Sequence, residues 1–179
     1  DVACGTGDLA FRANAAVPHA RVTGVDASPG MIALARARAV TPGAPTFTLG
    51  DMAHLDLPAA SVDAITAGYA FRNAPDHRVA LREAARVLRP GGVIVTLDFY
   101  RPESDAWRAL LLGYLRIAGS ATGWWWHREP VAYGYIAPSI EAFVSWRGFD
   151  ADLAAAGFDV RYVRTWLLGG IAMHAAVRR

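Results

Sequence analysis

Short apolar runs alternate along the chain with stretches in which apolar residues recur at helical spacing. The apolar runs predict strands, at residues 21–25, 46–49, 62–67 and 93–97. Between the runs, apolar residues recur every three or four positions and predict helices, near residues 9–16, 29–35 and 76–88. The first four residues have the composition of the end of a further strand. This alternation predicts right-handed βαβ units and an α/β fold, a Rossmann-like, doubly wound and mostly parallel sheet.

The last third of the chain departs from this alternation and then returns to it. Residues 100–149 carry many aromatic residues, prolines and two helical patterns, and we interpret them as a small helical cap. After a helix near residues 150–156, apolar runs at 160–167 and 171–177 flank Gly169-Gly170. Two strands joined by such a turn predict a C-terminal antiparallel hairpin.

The composition excludes several classes of protein. Of the 179 residues, 54% are hydrophobic and 19% charged, which predicts one globular domain with a sizeable core and excludes a disordered chain. All 18 basic residues are arginine, the net charge is +2 and like charges form no run, which argues against a nucleic-acid partner. The single cysteine, Cys4, excludes a disulfide scaffold and fits a cytoplasmic location. No stretch approaches the roughly 20 apolar residues of a membrane helix, and we predict no metal site.

A glycine loop follows the first predicted strand and precedes the first predicted helix. Gly5-Thr6-Gly7 lets the backbone turn sharply, and the helix N-terminus behind it offers free amide groups. Asp26 ends the next strand, where a carboxylate accepts hydrogen bonds from ribose hydroxyls. Together these features favour a nucleoside ligand over a mere tight turn with an exposed loop aspartate.

Two acidic residues indicate which nucleoside binds. Asp1 precedes the glycine loop, where it would repel a pyrophosphate but attract an ammonium or sulfonium group. Asp51-Met52 follows the third strand, where a carboxylate and a backbone amide suit an adenine ring. We therefore predict S-adenosylmethionine as the cofactor. Because the glycine loop followed by Ala10 also satisfies the permissive dinucleotide pattern, an NAD(P)-dependent oxidoreductase remains the alternative from another enzyme class.

Several motifs resemble those of the quinone-biosynthesis C-methyltransferases, which act on demethylmenaquinol and on a ubiquinol precursor. The motifs are Asp1-Val2-Ala3-Cys4-Gly5-Thr6-Gly7-Asp8, Phe71-Arg72-Asn73, Arg86-Val87-Leu88-Arg89-Pro90-Gly91-Gly92, Tyr133-Gly134-Tyr135-Ile136, and Gly169-Gly170-Ile171 with His174. The resemblance implies a class I methyltransferase whose cofactor contacts Thr6, Asp26 and Asp51-Met52. The chain departs from the family's pattern at Asp98, where glutamate is usual, and at Tyr100, where serine is usual.

The resemblance also implies the reaction and its catalytic residues. Methylation of a quinol carbon needs charge stabilisation on the neighbouring oxygen, for which Arg72 is the candidate cation and Asn73 a hydrogen-bonding partner. The alternative for Arg72 is a surface ion pair with Asp76 or Glu103. His174 is the third catalytic candidate, and a structural hydrogen bond is the alternative there.

The expected function is conversion of demethylmenaquinol to menaquinol. The alternatives are methylation of 2-methoxy-6-polyprenyl-1,4-benzoquinol or of another small lipophilic acceptor, and a non-catalytic cofactor-binding scaffold. Residues 1–99 are expected to bind S-adenosylmethionine, 100–149 to form the cap over the substrate, and 150–179 to complete the same domain. Trp124-Trp125-Trp126 is a candidate entrance for the prenyl tail.

We further expect peripheral contact with the inner face of a membrane, and either a homodimer or a quinone-synthesis complex. Because the sequence starts on Asp1 and enters a motif directly, we expect the natural protein to be longer.

Overall fold

The computed structural model describes residues 1–122 and 135–179, with side chains for 1–115 and 135–179. Its strands are β1 (Thr23–Asp26), β2 (Thr46–Leu49), β3 (Val62–Gly68), β4 (Leu88–Phe99), β5 (Phe158–Trp166) and β6 (Ile171–Arg178). Its helices are α1 (Asp8–Ala16), α2 (Pro29–Arg38), α3 (His77–Val87), α4 (Asp105–Thr122), α5 (Ile136–Ala142) and α6 (Trp146–Ala155). Short 3₁₀ turns lie at Phe71–Asn73 and Leu167–Gly169.

The strands form an almost continuous sheet. β1 pairs with β2 and β3 pairs with β4, both in parallel. Val2 connects the two pairs, because it forms a parallel bridge with Val25 of β1 and donates its amide proton to Thr66 O of β3 at 2.9 Å. β6 lies antiparallel between β4 and β5. The predicted α/β class, mostly parallel sheet and C-terminal antiparallel hairpin are confirmed.

Helices cover both faces of this sheet. The main core lies on one face, where α3 and α6 pack against β3, β4 and β6; its members include Leu81, Val87, Phe149, Leu153 and Ile94. Neighbouring residues of a strand point to opposite faces. Ala67 of β3 faces this core, whereas a Cβ on Gly68 would lie 2.8 Å from Leu9 of α1. Helix α1 therefore lies on the other face, as a doubly wound sheet requires.

The predicted start of strand β4 is wrong. Strand β4 was expected at residues 93–97, after a helix broken by Pro90-Gly91-Gly92, but the strand begins at Leu88. Val62 pairs with Leu88 and Ala64 with Val93, so residues 89–92 bulge out of the ladder. A Cβ on Gly92 would lie 2.9 Å from Arg89 O and 3.1 Å from Asp63 O, so the bulge closes only around a glycine.

The described part of the cap is helical and packs on the end of β4. Leu112 of α4 and Ala137 and Ile140 of α5 form a small apolar cluster against Phe99. Trp124-Trp125-Trp126 and the Tyr133-Gly134 part of its motif lie outside the described residues. The division at residues 99 and 149 stays a prediction. Among the described residues, no helix is both long enough and apolar enough to cross a membrane.

Candidate functional site

The glycine loop is held against the end of β1 by the side chain of Asp26. Gly5 N donates to Asp26 Oδ2 at 2.8 Å, and Ser28 N donates to Asp26 Oδ1 at 2.8 Å. Gly5 and Gly7 adopt φ values of +54° and +88°, which L side chains disfavour. The carboxylate thus bridges two loops, and each of its oxygens keeps a lone pair for a ligand hydroxyl.

Asp1 lies at the same edge and is incompletely satisfied. Its Oδ1 accepts a hydrogen bond from Thr66 Oγ1 at 2.7 Å. Its Oδ2 is buried and has no hydrogen-bond partner among the described residues. A buried carboxylate oxygen without a partner is costly, and a cationic ligand group is the kind of partner that would offset the cost.

Asp51 and Met52 complete this edge of the sheet. Gly50 N donates to Asp26 O at 3.0 Å, which holds the chain after β2 beside the end of β1. Asp51 is exposed and its Oδ1 accepts the amide proton of Ala53 at 2.8 Å, while Met52 is half-buried against the main core. The acidic residues predicted at the ends of successive strands, Asp26 and Asp51 with Asp1 beside them, therefore share one edge.

Arg72 forms a buried ion pair at the end of β3. Its Nη1 donates to Asp98 Oδ1 at 2.6 Å, and its backbone N donates to Asp98 Oδ2 at 3.2 Å. The side chains of Arg72 and Asp98 are 5% and 1% exposed. Arg72 therefore pairs with Asp98, and not with Asp76 or Glu103, the two partners considered from the sequence. Burial raises the pKa of Asp98, and the Arg72 guanidinium opposes that shift.

Two aromatic rings flank the Arg72 guanidinium. Its Cζ lies 5.6 Å from the centroid of the Tyr69 ring and 5.4 Å from that of Phe99. The Arg72 Nε atom is buried and has no hydrogen-bond partner among the described residues. Asn73 lies beside it, and its Nδ2 donates to Tyr69 O at 3.0 Å. Tyr69 itself has a φ of +56°, a conformation that such side chains rarely adopt.

His174 lies in the core of the sheet, away from solvent. It is 1% exposed, and its Nδ1 lies 3.3 Å from the hydroxyl of fully buried Tyr100. Its Nε2 is 3.2 Å from Asp150 Oδ1, an ion-pair distance, yet neither atom forms a hydrogen bond among the described residues. Burial lowers the pKa of His174 to about 4, so the imidazole is neutral near pH 7.

Comparison with known proteins identifies the family. The profile of the ubiE/COQ5 methyltransferase family matches residues 1–178. The chain belongs to the ubiE/COQ5 methyltransferase family. It is 37% identical to the demethylmenaquinone methyltransferase of Thermus thermophilus over 179 residues, 99% of this chain and 81% of that relative. It is 40% identical to the ubiquinone/menaquinone biosynthesis C-methyltransferase UbiE of Rubrivivax gelatinosus over 161 residues, 89% of this chain and 61% of that relative.

Solved structures share the fold at lower sequence identity. The YcgJ protein of Bacillus subtilis superposes with a TM-score of 0.71 at 21% identity, over 100% of this chain and 90% of that one. The [4+2]-cyclase SpnF also reaches a TM-score of 0.71, at 19% identity, over 99% of this chain and 73% of that one. Membership of the ubiE/COQ5 family confirms the predicted methyltransferase class and S-adenosylmethionine as its cofactor.

The edge formed by Asp1, Gly5 and Asp26 fits that cofactor. Nothing lies within 4 Å of the position that a Cβ on Gly5 would occupy, so the loop has open space in front of it. The unpartnered Asp1 Oδ2 suits the cationic amino-acid end of the cofactor, and Asp26 suits the ribose. Asp51 and Met52 follow at the same edge, and their contact with the adenine stays a prediction.

Sequence reasoning missed Arg38, which fastens the glycine loop from outside. Arg38 Nη1 donates to Thr6 O at 2.6 Å, and its Nη2 donates to Asp8 Oδ1 at 2.8 Å. Thr6 also donates through Oγ1 to Asp8 Oδ2 at 3.4 Å, so the predicted cofactor residue Thr6 is oriented by its neighbours. In the sequence, the only signal of this contact is an arginine in the last turn of α2. Basic residues are common in the last turn of a helix, so this signal is weak.

Alanine substitutions at the two loop glycines are expected to differ in their effects: one mainly weakens cofactor binding, and the other mainly lowers the stability of the fold. Gly5→Ala introduces a methyl group into open space, so it should cost about 1 kcal/mol of stability for the left-handed backbone and weaken S-adenosylhomocysteine binding at least about tenfold. Gly7→Ala places a Cβ 2.6 Å from Phe47 Cζ and should cost roughly 3 kcal/mol. Thermal melts with and without S-adenosylhomocysteine measure both effects. Unchanged affinity in Gly5→Ala would place the cofactor elsewhere.

Buried neutral His174 predicts a loss of stability in mild acid. The unfolded chain protonates His174 near its ordinary pKa of 6.5, whereas the folded protein keeps it neutral down to about 4. Protonation therefore favours unfolding as the pH falls from 6.5 to 4, by about 3 kcal/mol at the end of that window.

Urea unfolding of wild type and His174→Gln at pH 7, 5.5 and 4.5 measures this difference. The raised pKa values of Asp98 and Asp150 act in the opposite direction, but they are present in both proteins. The gap between wild type and variant should therefore shrink as the pH falls. A constant gap would show that His174 is already charged at pH 7 or is not buried.

Proposed function

We propose that the chain transfers the methyl group of S-adenosylmethionine to a ring carbon of a polyprenylated quinol, with demethylmenaquinol as the acceptor. The family match over residues 1–178 and the name of the Thermus thermophilus relative support this acceptor. The Rubrivivax gelatinosus relative is named for both quinone pathways, so 2-methoxy-6-polyprenyl-1,4-benzoquinol is the alternative acceptor.

The protein's task in such a reaction is orientation and charge stabilisation. The bound cofactor supplies an activated methyl group. The protein must hold the acceptor carbon in line with it and keep water away. A quinol carbon becomes nucleophilic when the neighbouring hydroxyl loses its proton, because the oxygen then pushes negative charge onto the ring. A fixed cation beside that oxygen lowers the barrier.

The buried guanidinium of Arg72 is the observation that carries this proposal. Asp98 fixes it from one side, and the rings of Tyr69 and Phe99 flank it. A cation held in such apolar surroundings acts on an oxyanion more strongly than one in water, and it needs no reorganisation. We assign Arg72 to stabilisation of the quinol oxygen and Asn73 to a hydrogen bond with the same substrate.

His174 is assigned a less direct role. Because His174 is 1% exposed and its Nδ1 lies 3.3 Å from the hydroxyl of fully buried Tyr100, we assign it to positioning Tyr100 and not to contact with the substrate. Its predicted part in catalysis therefore becomes a positioning role here. The His174→Gln variant described above tests this, because a positioning residue should lower kcat without changing S-adenosylhomocysteine affinity.

The deciding experiment supplies both quinols in parallel. The protein is incubated with methyl-labelled S-adenosylmethionine and either reduced demethylmenaquinone or the ubiquinone precursor. We expect label in menaquinol. Label only in the other product moves the enzyme to the ubiquinone pathway, and label in both makes it shared.

If no methyl group is transferred to either quinol, two other functions remain to be distinguished. S-adenosylhomocysteine binding without transfer to either quinol would support another acceptor or a non-catalytic scaffold. Stabilisation by NADH and not by S-adenosylhomocysteine would revive the oxidoreductase alternative. The homodimer or quinone-synthesis complex stays a prediction.

A further inference from the structure

Two leucines protrude from the connection between β5 and β6. We call Leu167-Leu168 the leucine tip. Leu167 is 47% exposed and Leu168 is 80% exposed, so two consecutive leucines reach solvent at this turn. Both have a φ of +49°, in the left-handed region that costs a leucine free energy. A turn that holds two apolar side chains in solvent on a strained backbone is more typical of a contact surface than of a simple hairpin.

Three tryptophans surround the leucine tip. Trp107 of α4 donates its indole proton to Leu167 O at 2.8 Å. Trp146 of α6 packs so closely that a Cβ on Gly169 would lie 2.9 Å from its ring. Trp166 precedes the tip in sequence and is 38% exposed. Tryptophan, with an apolar ring and one polar N–H, favours the boundary between water and a lipid surface.

Arginines cover two of these rings. The Arg147 guanidinium lies 4.4 Å from the centroid of Trp146, and that of Arg164 lies 5.1 Å from the centroid of Trp166. The Arg147 side chain is 63% exposed and Arg164 is also exposed, so both charges reach solvent beside the tip. Arg147 also pairs with Glu103, which leaves Arg164 as the stronger attraction for an anion.

The leucine tip adjoins the proposed active site. Tyr100 N donates to the carbonyl oxygen of Gly170, two residues after the tip, at 3.0 Å. Ile171 then pairs with Phe99 across the sheet. The Phe99 ring is the one that lies 5.4 Å from the Arg72 guanidinium. A surface held at the tip would therefore lie at the mouth of the site.

We propose that the leucine tip inserts into an anionic lipid bilayer and docks the protein there with its active site facing the surface. The two leucines supply apolar area, the tryptophans fit the interfacial layer, and Arg164 attracts anionic headgroups. This inference rests on the proposed function for its purpose, since a polyprenylated quinol resides in the bilayer. A narrow protrusion with cations around it suits lipid better than the flat apolar face of a dimer interface.

Vesicle flotation with the intact protein tests the proposal. Wild type should float with phosphatidylcholine vesicles that contain phosphatidylglycerol, and bind pure phosphatidylcholine vesicles several-fold more weakly. Leu167→Ser with Leu168→Ser should lower the partition coefficient at least tenfold. Leu34→Ser is the matched control, because Leu34 is 56% exposed on α2, and it should bind as wild type does. Both variants change exposed side chains, so their melting temperatures should match that of wild type.

The flotation results test membrane docking independently of whether the protein methylates a quinol. Vesicle binding that survives loss of both leucines overturns it, as does equal binding to neutral vesicles. Loss of a dimer in sedimentation velocity, without loss of vesicle binding, would assign the tip to a second copy of the chain and also overturn it. If flotation depends on the tip but neither quinol is methylated, the docking surface stands and the proposed function fails.

Discussion

Arg72→Met is expected to lower the rate of methyl transfer a hundredfold to a thousandfold, while S-adenosylhomocysteine affinity stays within about threefold of wild type. The expectation follows from the contacts of the guanidinium, which pairs with Asp98 of β4, whereas the glycine loop is held by Asp26 and Arg38. Single-turnover transfer to reduced demethylmenaquinone measures the rate, and calorimetry measures the affinity.

Loss of the ion pair alone would confuse this result, so a second variant is needed. Arg72→Met leaves Asp98 buried without its partner, which should cost about 3–5 kcal/mol of stability. The double variant Arg72→Met with Asp98→Leu removes both charges and should recover most of that loss. It should remain as inactive as the single variant. Recovered activity in the double variant would show that Arg72 holds the fold together and takes no part in methyl transfer.

Asp26→Asn is expected to weaken S-adenosylhomocysteine binding about a hundredfold. Both carboxylate oxygens of Asp26 accept backbone protons, from Gly5 and from Ser28. An asparagine has only one acceptor oxygen, so its NH₂ group would face one of these N–H donors and push the glycine loop away. The ribose would also lose a charged acceptor. Together these losses amount to about 3 kcal/mol, which isothermal titration calorimetry resolves easily.

Asp63→Asn serves as the control for Asp26→Asn. Asp63 is an exposed aspartate near the start of β3, at the opposite end of that strand from Gly68, and it pairs with Arg89 at 2.9 Å. Its amide variant should bind S-adenosylhomocysteine as wild type does. Wild-type affinity in Asp26→Asn as well would contradict a cofactor site at the end of β1.

Local signals were sufficient for much of the fold. Ser28 followed by Pro29 predicts an N-cap and a first-turn proline for α2, and the structure shows both, with Ser28 Oγ accepting the Met31 amide proton. Strand β2 lies where its four-residue run predicted it. The start of β4 was not predictable in this way, because Gly91 and Gly92 signal a break whether they end a helix or allow a bulge inside a strand.

The candidate site could likewise be predicted from the sequence only in part. The predicted cofactor residues follow strands in the sequence, and parallel strands bring their carboxyl ends to one edge without any knowledge of register. The partner of Arg72 was sought at nearby Asp76 and Glu103, but it is Asp98. That contact depends on the pairing of Gly68 with Leu97, which places the ends of β3 and β4 side by side. No pattern within either segment reveals this register.

Fold alone does not determine the reaction. The cyclase SpnF shares this architecture at a TM-score of 0.71, and its name describes a different transformation. The assignment to methyl transfer therefore depends on the family match and on the acidic edge beside the glycine loop. The choice of carbon as the methylated atom follows the name of the Rubrivivax gelatinosus relative, a C-methyltransferase, and Arg72 is assigned to the oxygen beside that carbon.

The atom that receives the methyl group is the most direct test. The protein, S-adenosylmethionine carrying a ¹³C-methyl group and reduced demethylmenaquinone are incubated together, and the product is examined by NMR. We predict a single labelled methyl group attached to a ring carbon, with menaquinol as the product. A labelled methoxy group, or a quinol without label under conditions in which the protein binds S-adenosylhomocysteine, would contradict C-methylation of this acceptor.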